Sequence, residues 1–335
     1  MKQSLKSRLS VDEYTKGILE GDRIILGQAI TLIESTLPPD QALANAVLGK
    51  IMDKTGRAIR IGITGVPGVG KSSFIEAFGK HVTAQQQKIA VLTVDPSSQL
   101  TKGSILGDKT RMESLAKDPL AFIRPSSSGN ILGGVANRTR EAMLLCEAAG
   151  YDVIIIETVG VGQSEVVIKS MVDFFLLQML AGAGDELQGI KKGITEVADA
   201  IVITKADGDN ISRATEAQAE YQHALQLNPA EDSQWQPSVL TVSAFTGNGI
   251  ANVWDMIVAF REHGISSGFF MQNRKQQNIA WLHDSFHQLL KADLQHPSLQ
   301  EEMRTLEEKV SRQQLSPSSA AQELREAYYR LIRKK

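Results

Sequence analysis

The chain has 335 residues, 42% of them hydrophobic, and sets 36 basic against 38 acidic side chains for a net charge of −2. That length buries a core for one large domain with appendages, or for two domains, and the near-neutral balance gives no electrostatic reason to expect nucleic acid or an anionic membrane as partner. The single cysteine, Cys146, excludes an intramolecular disulfide framework and a thiolate zinc site, which fits a reducing interior.

The first residues, Met1-Lys2-Gln3-Ser4-Leu5-Lys6, carry charge without the apolar core of a secretory signal. No segment reaches the roughly 18 apolar residues of a membrane span. Even Met171 to Leu180 holds Asp173 and Gln178. A cytoplasmic protein is the expectation. Residues 1–57 read as a helical N-terminal extension, with Ser10 as a candidate cap before Val11 and Pro38-Pro39 separating two amphipathic stretches.

From residue 58 to 264, strand-like apolar runs alternate with helical patterns. The expected strands are Ile59 to Thr64, Ile89 to Val94, Leu120 to Arg124, Val153 to Glu157, Phe174 to Met179, Ala200 to Thr204 and Val239 to Ser243. Such alternation implies an α/β fold with a mostly parallel sheet flanked by helices, whose ligands sit at the carboxyl ends of the strands. After Gly264 no strand pattern recurs. Residues 265–335 read as a helical C-terminal arm, with helices near 272–293, 297–313 and 317–332 that pack on their own domain or exchange with a second copy.

The first expected strand runs into Gly65-Val66-Pro67-Gly68-Val69-Gly70-Lys71-Ser72-Ser73, which fits the G-x-x-x-x-G-K-[ST] phosphate loop where strand meets helix. Glycines let backbone N–H groups turn toward one anion, and the new helix adds its unpaired N–H groups and positive dipole end. Lys71 then reaches the β and γ phosphates and Ser72 contacts Mg²⁺. The second strand ends in Asp95-Pro96-Ser97-Ser98, placing the Asp95 carboxylate near the metal or the attacking water. Asp108 is a second candidate in the following segment, and a turn-forming role is the plainer alternative for both.

The run Val153 to Glu157 closes on an acid followed three residues later by Gly160, the arrangement that holds Mg²⁺ and offers a backbone N–H to the γ-phosphate. Gln163 is a candidate for positioning water or a solvated loop residue. Thr204-Lys205-Ala206-Asp207 follows another strand and is similar to the N-K-x-D element of GTP-binding proteins. A carboxylate there accepts two hydrogen bonds that guanine offers and adenine does not, while the Lys205 stem lies along the ring. Thr204 stands where Asn is usual, and the expectation is that a brace to the phosphate loop is lost. Ser243-Ala244-Phe245 supplies the second base loop.

Taken together, V-D-P-S-S, S-I-L-G-D-K-T-R-M, F-I-R-P-S, L-G-G-V-A, E-T-V-G-V-G-Q-S-E and G-A-G-D-E-L-Q-G-I-K-K-G resemble the MeaB/ArgK-type GTPases, chaperones associated with adenosylcobalamin-dependent methylmalonyl-CoA mutase. The resemblance covers essentially the whole chain. It implies a homodimer formed through C-terminal helices, Mg²⁺-dependent hydrolysis of GTP to GDP and phosphate stimulated by the mutase, gating of cofactor loading, and protection of the mutase. It also matches Asp95, Asp108 and Glu157 to acids around Mg²⁺, and Gly182 to Lys192 to a third switch that communicates with the mutase. Arg111, Arg138 and Arg140 are possible charge stabilisers, with a surface role the simpler reading. Two rivals share parts of the pattern. A nickel metallochaperone GTPase wants a Cys or His cluster that one Cys and six His do not suggest, and a transport-linked ATPase or kinase requires adenine preference.

Overall fold

The computed structural model describes residues 8–94, 112–126, 132–158, 164–182, 192–226 and 233–333. Helix α1, Val11–Leu19, begins with a capping box: the Ser10 hydroxyl accepts from the Glu13 N–H, and the Glu13 carboxylate accepts from the Ser10 N–H at 2.8 Å. The first amphipathic stretch is two helices rather than one. Asp22 accepts from the N–H groups of Ile24 and Ile25 at 2.7 and 3.1 Å and starts α2, Arg23–Glu34. The adjacent prolines then occupy the first turn of α3, Pro38–Ile51, where a missing N–H costs nothing.

Seven strands follow: β1 Ile59–Gly65, β2 Ile89–Val94, β3 Ala121–Ser126, β4 Val153–Thr158, β5 Phe174–Leu180, β6 Ala200–Thr204 and β7 Ser238–Thr241. They form one sheet in the order β3-β2-β4-β1-β5-β6-β7, with every pairing parallel. All seven expected strands are present, each within one or two residues of its expected start. Between them lie α4 Lys71–Ala84, α5 Glu113–Ala116, α6 Leu132–Ala148, α7 Ser164–Lys169, α8 Lys192–Glu196 and α9 Ile211–Gln226. After β7 come α10 Ile250–Ser266, α11 Phe269–Leu294, α12 Pro297–Ser311 and α13 Pro317–Ile332.

Continuous apolar runs give strands buried on both faces, so helices must cover both. On one face Ile154, Ile156, Phe175 and Leu177 pack with Tyr14, Leu26 and Ile30 of the N-terminal helices and with the enclosed Cys146 of α6. On the other, Ile61, Ile63, Phe174 and Leu176 pack with Phe74 and Phe78 of α4 and with Trp254 and Phe260 of α10. Each such side chain contributes about 1.5–3 kcal/mol by leaving water. The N-terminal extension is therefore one wall of the core.

At the amino ends of the strands, two arginines are paired below the surface. The Arg60 guanidinium meets Glu147 of α6 at 2.9 Å, and Arg274 of α11 meets Asp173 at 2.6 Å while donating to the carbonyls of Gly56 and Ala58. The chain divides into two compact units, Met1–Gln277 and Asn278–Lys335, so the boundary falls inside α11. In the second unit, Leu299 and Leu306 of α12 and Ala320 and Ala327 of α13 are the buried apolar positions. No described helix is long and apolar enough to cross a membrane.

Candidate functional site

β1 lies between β4 and β5, while the chain leaves it for β2 on the far side of β4. The strand order thus opens a crevice at the carboxyl end of β1, where an open parallel sheet takes ligands. The loop from Gly65 to Gly70 occupies this position. Gly70, at φ +101°, turns the chain into α4, a left-handed geometry that a Cβ disfavours. Val66 and Val69 are buried under the loop, Pro67 and Gly68 form its exposed tip, and Ser73 is exposed on the first turn of α4. Lys71 is buried, and its ammonium donates to the carbonyls of Gly65 at 2.7 Å and Val66 at 3.3 Å, so the cation is held inside the curve of the loop.

Beside it, the Ser72 hydroxyl donates to Glu157 Oε1 at 3.2 Å. Glu157 is buried at the end of β4, and Thr158 next to it donates to Thr64 at 2.9 Å, tying the ends of β4 and β1 together. A hydroxyl and a carboxylate are hard oxygen donors, and Mg²⁺ at nucleotide sites needs only one or two such groups because phosphates and water complete its shell. Ser72 and Glu157 fit that requirement. Among the described residues no three His, Cys, Asp or Glu gather as a metal site of their own. Asp95, Asp108, Gly160, Gln163 and Arg111 lie outside the described residues. Arg140 departs from the surface reading: it is buried, and its guanidinium donates to Ser170 at 2.9 Å.

The two loops expected to meet the base come together at the carboxyl ends of β6 and β7. The Ser243 hydroxyl donates to Asp207 at 2.5 Å, the Thr246 N–H donates back to the same hydroxyl, and the Ala206 N–H donates to the Val242 carbonyl at 3.0 Å. Lys205 takes a left-handed conformation, φ +57°, with its carbonyl held by the Asn210 amide. Ala244 is half-buried and Phe245 is 93% exposed. Thr204 corrects the sequence expectation. Its hydroxyl donates to the Val69 carbonyl at 2.7 Å and lies 3.2 Å from that of Met179, so the brace between base loop and phosphate loop is present. A threonine hydroxyl has one proton, and the shorter contact takes it.

A family profile described as "Methylmalonyl Co-A mutase-associated GTPase MeaB" matches residues 26–298. The chain belongs to the MeaB family. Its relatives include "GTPase ArgK" of Escherichia coli, 51% identical over 270 residues that make up 81% of this chain and 82% of that protein. The mitochondrial methylmalonic aciduria type A homolog of Mus musculus is 44% identical over 334 residues, 96% of this chain and 80% of its own. A solved structure described as a LAO/AO transport system kinase is 40% identical and superposes with a TM-score of 0.74 across 96% of this chain and 99% of its own.

Within this MeaB-family site, sequence reasoning reached Lys71, Ser72, Glu157, Asp207 and Ser243, which the fold brings into two adjoining clusters. It missed the Thr64–Thr158 pair and Gln178, all fully or nearly fully enclosed. Each is a polar residue on a buried strand, and what it faces lies across the sheet rather than along the chain. The segment Ala183 to Lys191 lies outside the described residues.

Proposed function

We propose that this protein binds and hydrolyses GTP with Mg²⁺ and that the cycle serves an adenosylcobalamin-dependent methylmalonyl-CoA mutase, gating cofactor loading and protecting the enzyme. One observation carries the guanine reading: Asp207, fixed by Ser243, stands on loops that Thr204 braces directly to the phosphate loop. Base recognition and phosphate binding are thus mechanically joined. The buried Lys71 ammonium and the backbone N–H groups at the start of α4 neutralise phosphate charge, and Ser72 with Glu157 would hold the metal. When bound, the metal offsets charge on the β and γ phosphate oxygens. Phosphoryl transfer asks the protein mainly for positioning, so slow intrinsic turnover that a partner accelerates is the expected behaviour.

The mutase as partner rests on membership of the family and on the names its relatives carry. A second copy of the chain is the proposed partner of α11, whose Ile279, Leu282, Phe286 and Leu289 are exposed at helical spacing. A cytoplasmic location completes the reading. Calorimetry tests the base: GDP should bind at least about a hundredfold tighter than ADP, and Asp207→Ala should erase the difference. Equal affinity for the two in the unaltered protein would return the site to an ATPase or kinase. Adding a cobalamin-dependent acyl-CoA mutase should then change the GTP turnover rate, and an unchanged rate removes the partner assignment.

A further inference from the structure

Gln178, near the carboxyl end of β5, is wholly enclosed, and among the described residues neither Oε1 nor Nε2 of its amide has a hydrogen-bond partner. Along β5, Phe175, Leu177 and Met179 fill the core beneath the N-terminal helices, while Phe174 and Leu176 fill the core beneath α4. Alternation therefore sends Gln178 to the α4 side, the side of the phosphate loop. Its partners in register are Gly65 on β1 and Val202 on β6. A Cβ at Gly65 would stand 2.5 Å from the Gln178 carbonyl oxygen and 3.0 Å from its Cβ, so glycine at that position lets the two strands close at the residue where the loop departs.

A buried amide with both atoms unpaired is costly, and folded proteins retain few such groups. The carbonyl of Gly65, the register partner of Gln178, accepts from the Lys71 ammonium. We propose that Gln178 is a positioning residue for the phosphate loop. When Lys71 turns its ammonium to the phosphates, the Gln178 amide donates to the Gly65 carbonyl so released, and nucleotide binding satisfies a group that is frustrated before it. This rests on the guanine-nucleotide reading and adds a residue that touches neither nucleotide nor metal. It predicts a trade between stability and binding at one position.

The test compares Gln178→Met and Gln178→Leu with the unaltered protein by thermal unfolding without nucleotide and by calorimetry with GDP and a non-hydrolysable GTP analogue. Expected are an unchanged or raised nucleotide-free Tm together with nucleotide affinity weaker by about tenfold. Affinity that is unchanged, or that falls only alongside a lowered nucleotide-free Tm, overturns the proposal, because the amide is then packing alone. Should either variant fail to fold, selective ¹⁵N-glutamine labelling of the unaltered protein reads the same event. The Gln178 carboxamide signal should move on saturation with GDP, and an unmoved signal overturns the proposal. An unaltered protein that binds no guanine nucleotide overturns both this proposal and the functional reading. One that binds GDP, beside variants that bind equally well, overturns this proposal alone.

Discussion

Thr204 shows how a single hydroxyl can take over an amide's task. Its bond to the Val69 carbonyl joins the loop proposed to read the base to the loop proposed to grip the phosphates. The isosteric Thr204→Val removes the donor and leaves that carbonyl without it, at about 1–3 kcal/mol. GDP affinity measured by calorimetry should fall by about tenfold. Unchanged affinity would show that the two loops are held together elsewhere. Glu141 on α6 offers a second test at this scale. Burial pushes its carboxyl up to about 7, against the opposing charge of Arg138. The unfolded chain loses this proton near the ordinary glutamate range while the folded chain keeps it, so the unfolded state binds fewer protons and stability falls as pH rises from about 4.5 to 7. Urea unfolding at several pH values should show Glu141→Gln flattening this slope and raising stability at pH 7.5 by about 2 kcal/mol.

Among the elements, α11 is fastened to the sheet by the Arg274 guanidinium, which meets Asp173 and two backbone carbonyls at the amino ends of the strands. Arg274→Met leaves the Asp173 carboxylate buried beside the Arg60 N–H without its cation. Losing one partner of a buried pair costs about 3–5 kcal/mol. Equilibrium unfolding should register that loss, and Asp173→Asn in the same background should restore part of it. Both residues were legible only as isolated charges, since nothing in the spacing 173 to 274 joins them. The strands were legible because burial on both faces demands unbroken apolar runs such as Ile154-Ile155-Ile156. The break at Asp22 was not: a capping aspartate resembles any other exposed acid until the N–H groups of Ile24 and Ile25 are seen to need it. Of the candidate site, Lys71, Ser72 and Asp207 were readable because their chemistry fixes local spacing. Gln178 and the Thr64–Thr158 pair derive meaning from neighbours across the sheet, which a linear pattern does not contain.

For the whole molecule, the division into Met1–Gln277 and Asn278–Lys335 separates the nucleotide-binding unit from one whose own core is small. A unit of about 60 residues buries only about 60% of the surface its unfolded chain exposes and is correspondingly marginal, so burying further surface would stabilise it. The exposed Ile279, Leu282, Phe286 and Leu289 offer that surface. Leu282→Glu combined with Phe286→Glu should shift the protein toward monomer in sedimentation velocity at micromolar concentration. A species that is monomeric before substitution would remove the second copy from the functional reading.

The lone thiol on α6 has a consequence of a different kind. Cys146 is wholly enclosed, and burial, with Glu147 beside it, pushes its thiol far above the ordinary range. Maleimides and disulfide reagents, which attack thiolates, should leave the native protein untouched. A cysteine introduced at an exposed position can therefore carry a fluorophore without first removing the native one, and slow labelling of Cys146 itself would serve as a clock for how often the core opens.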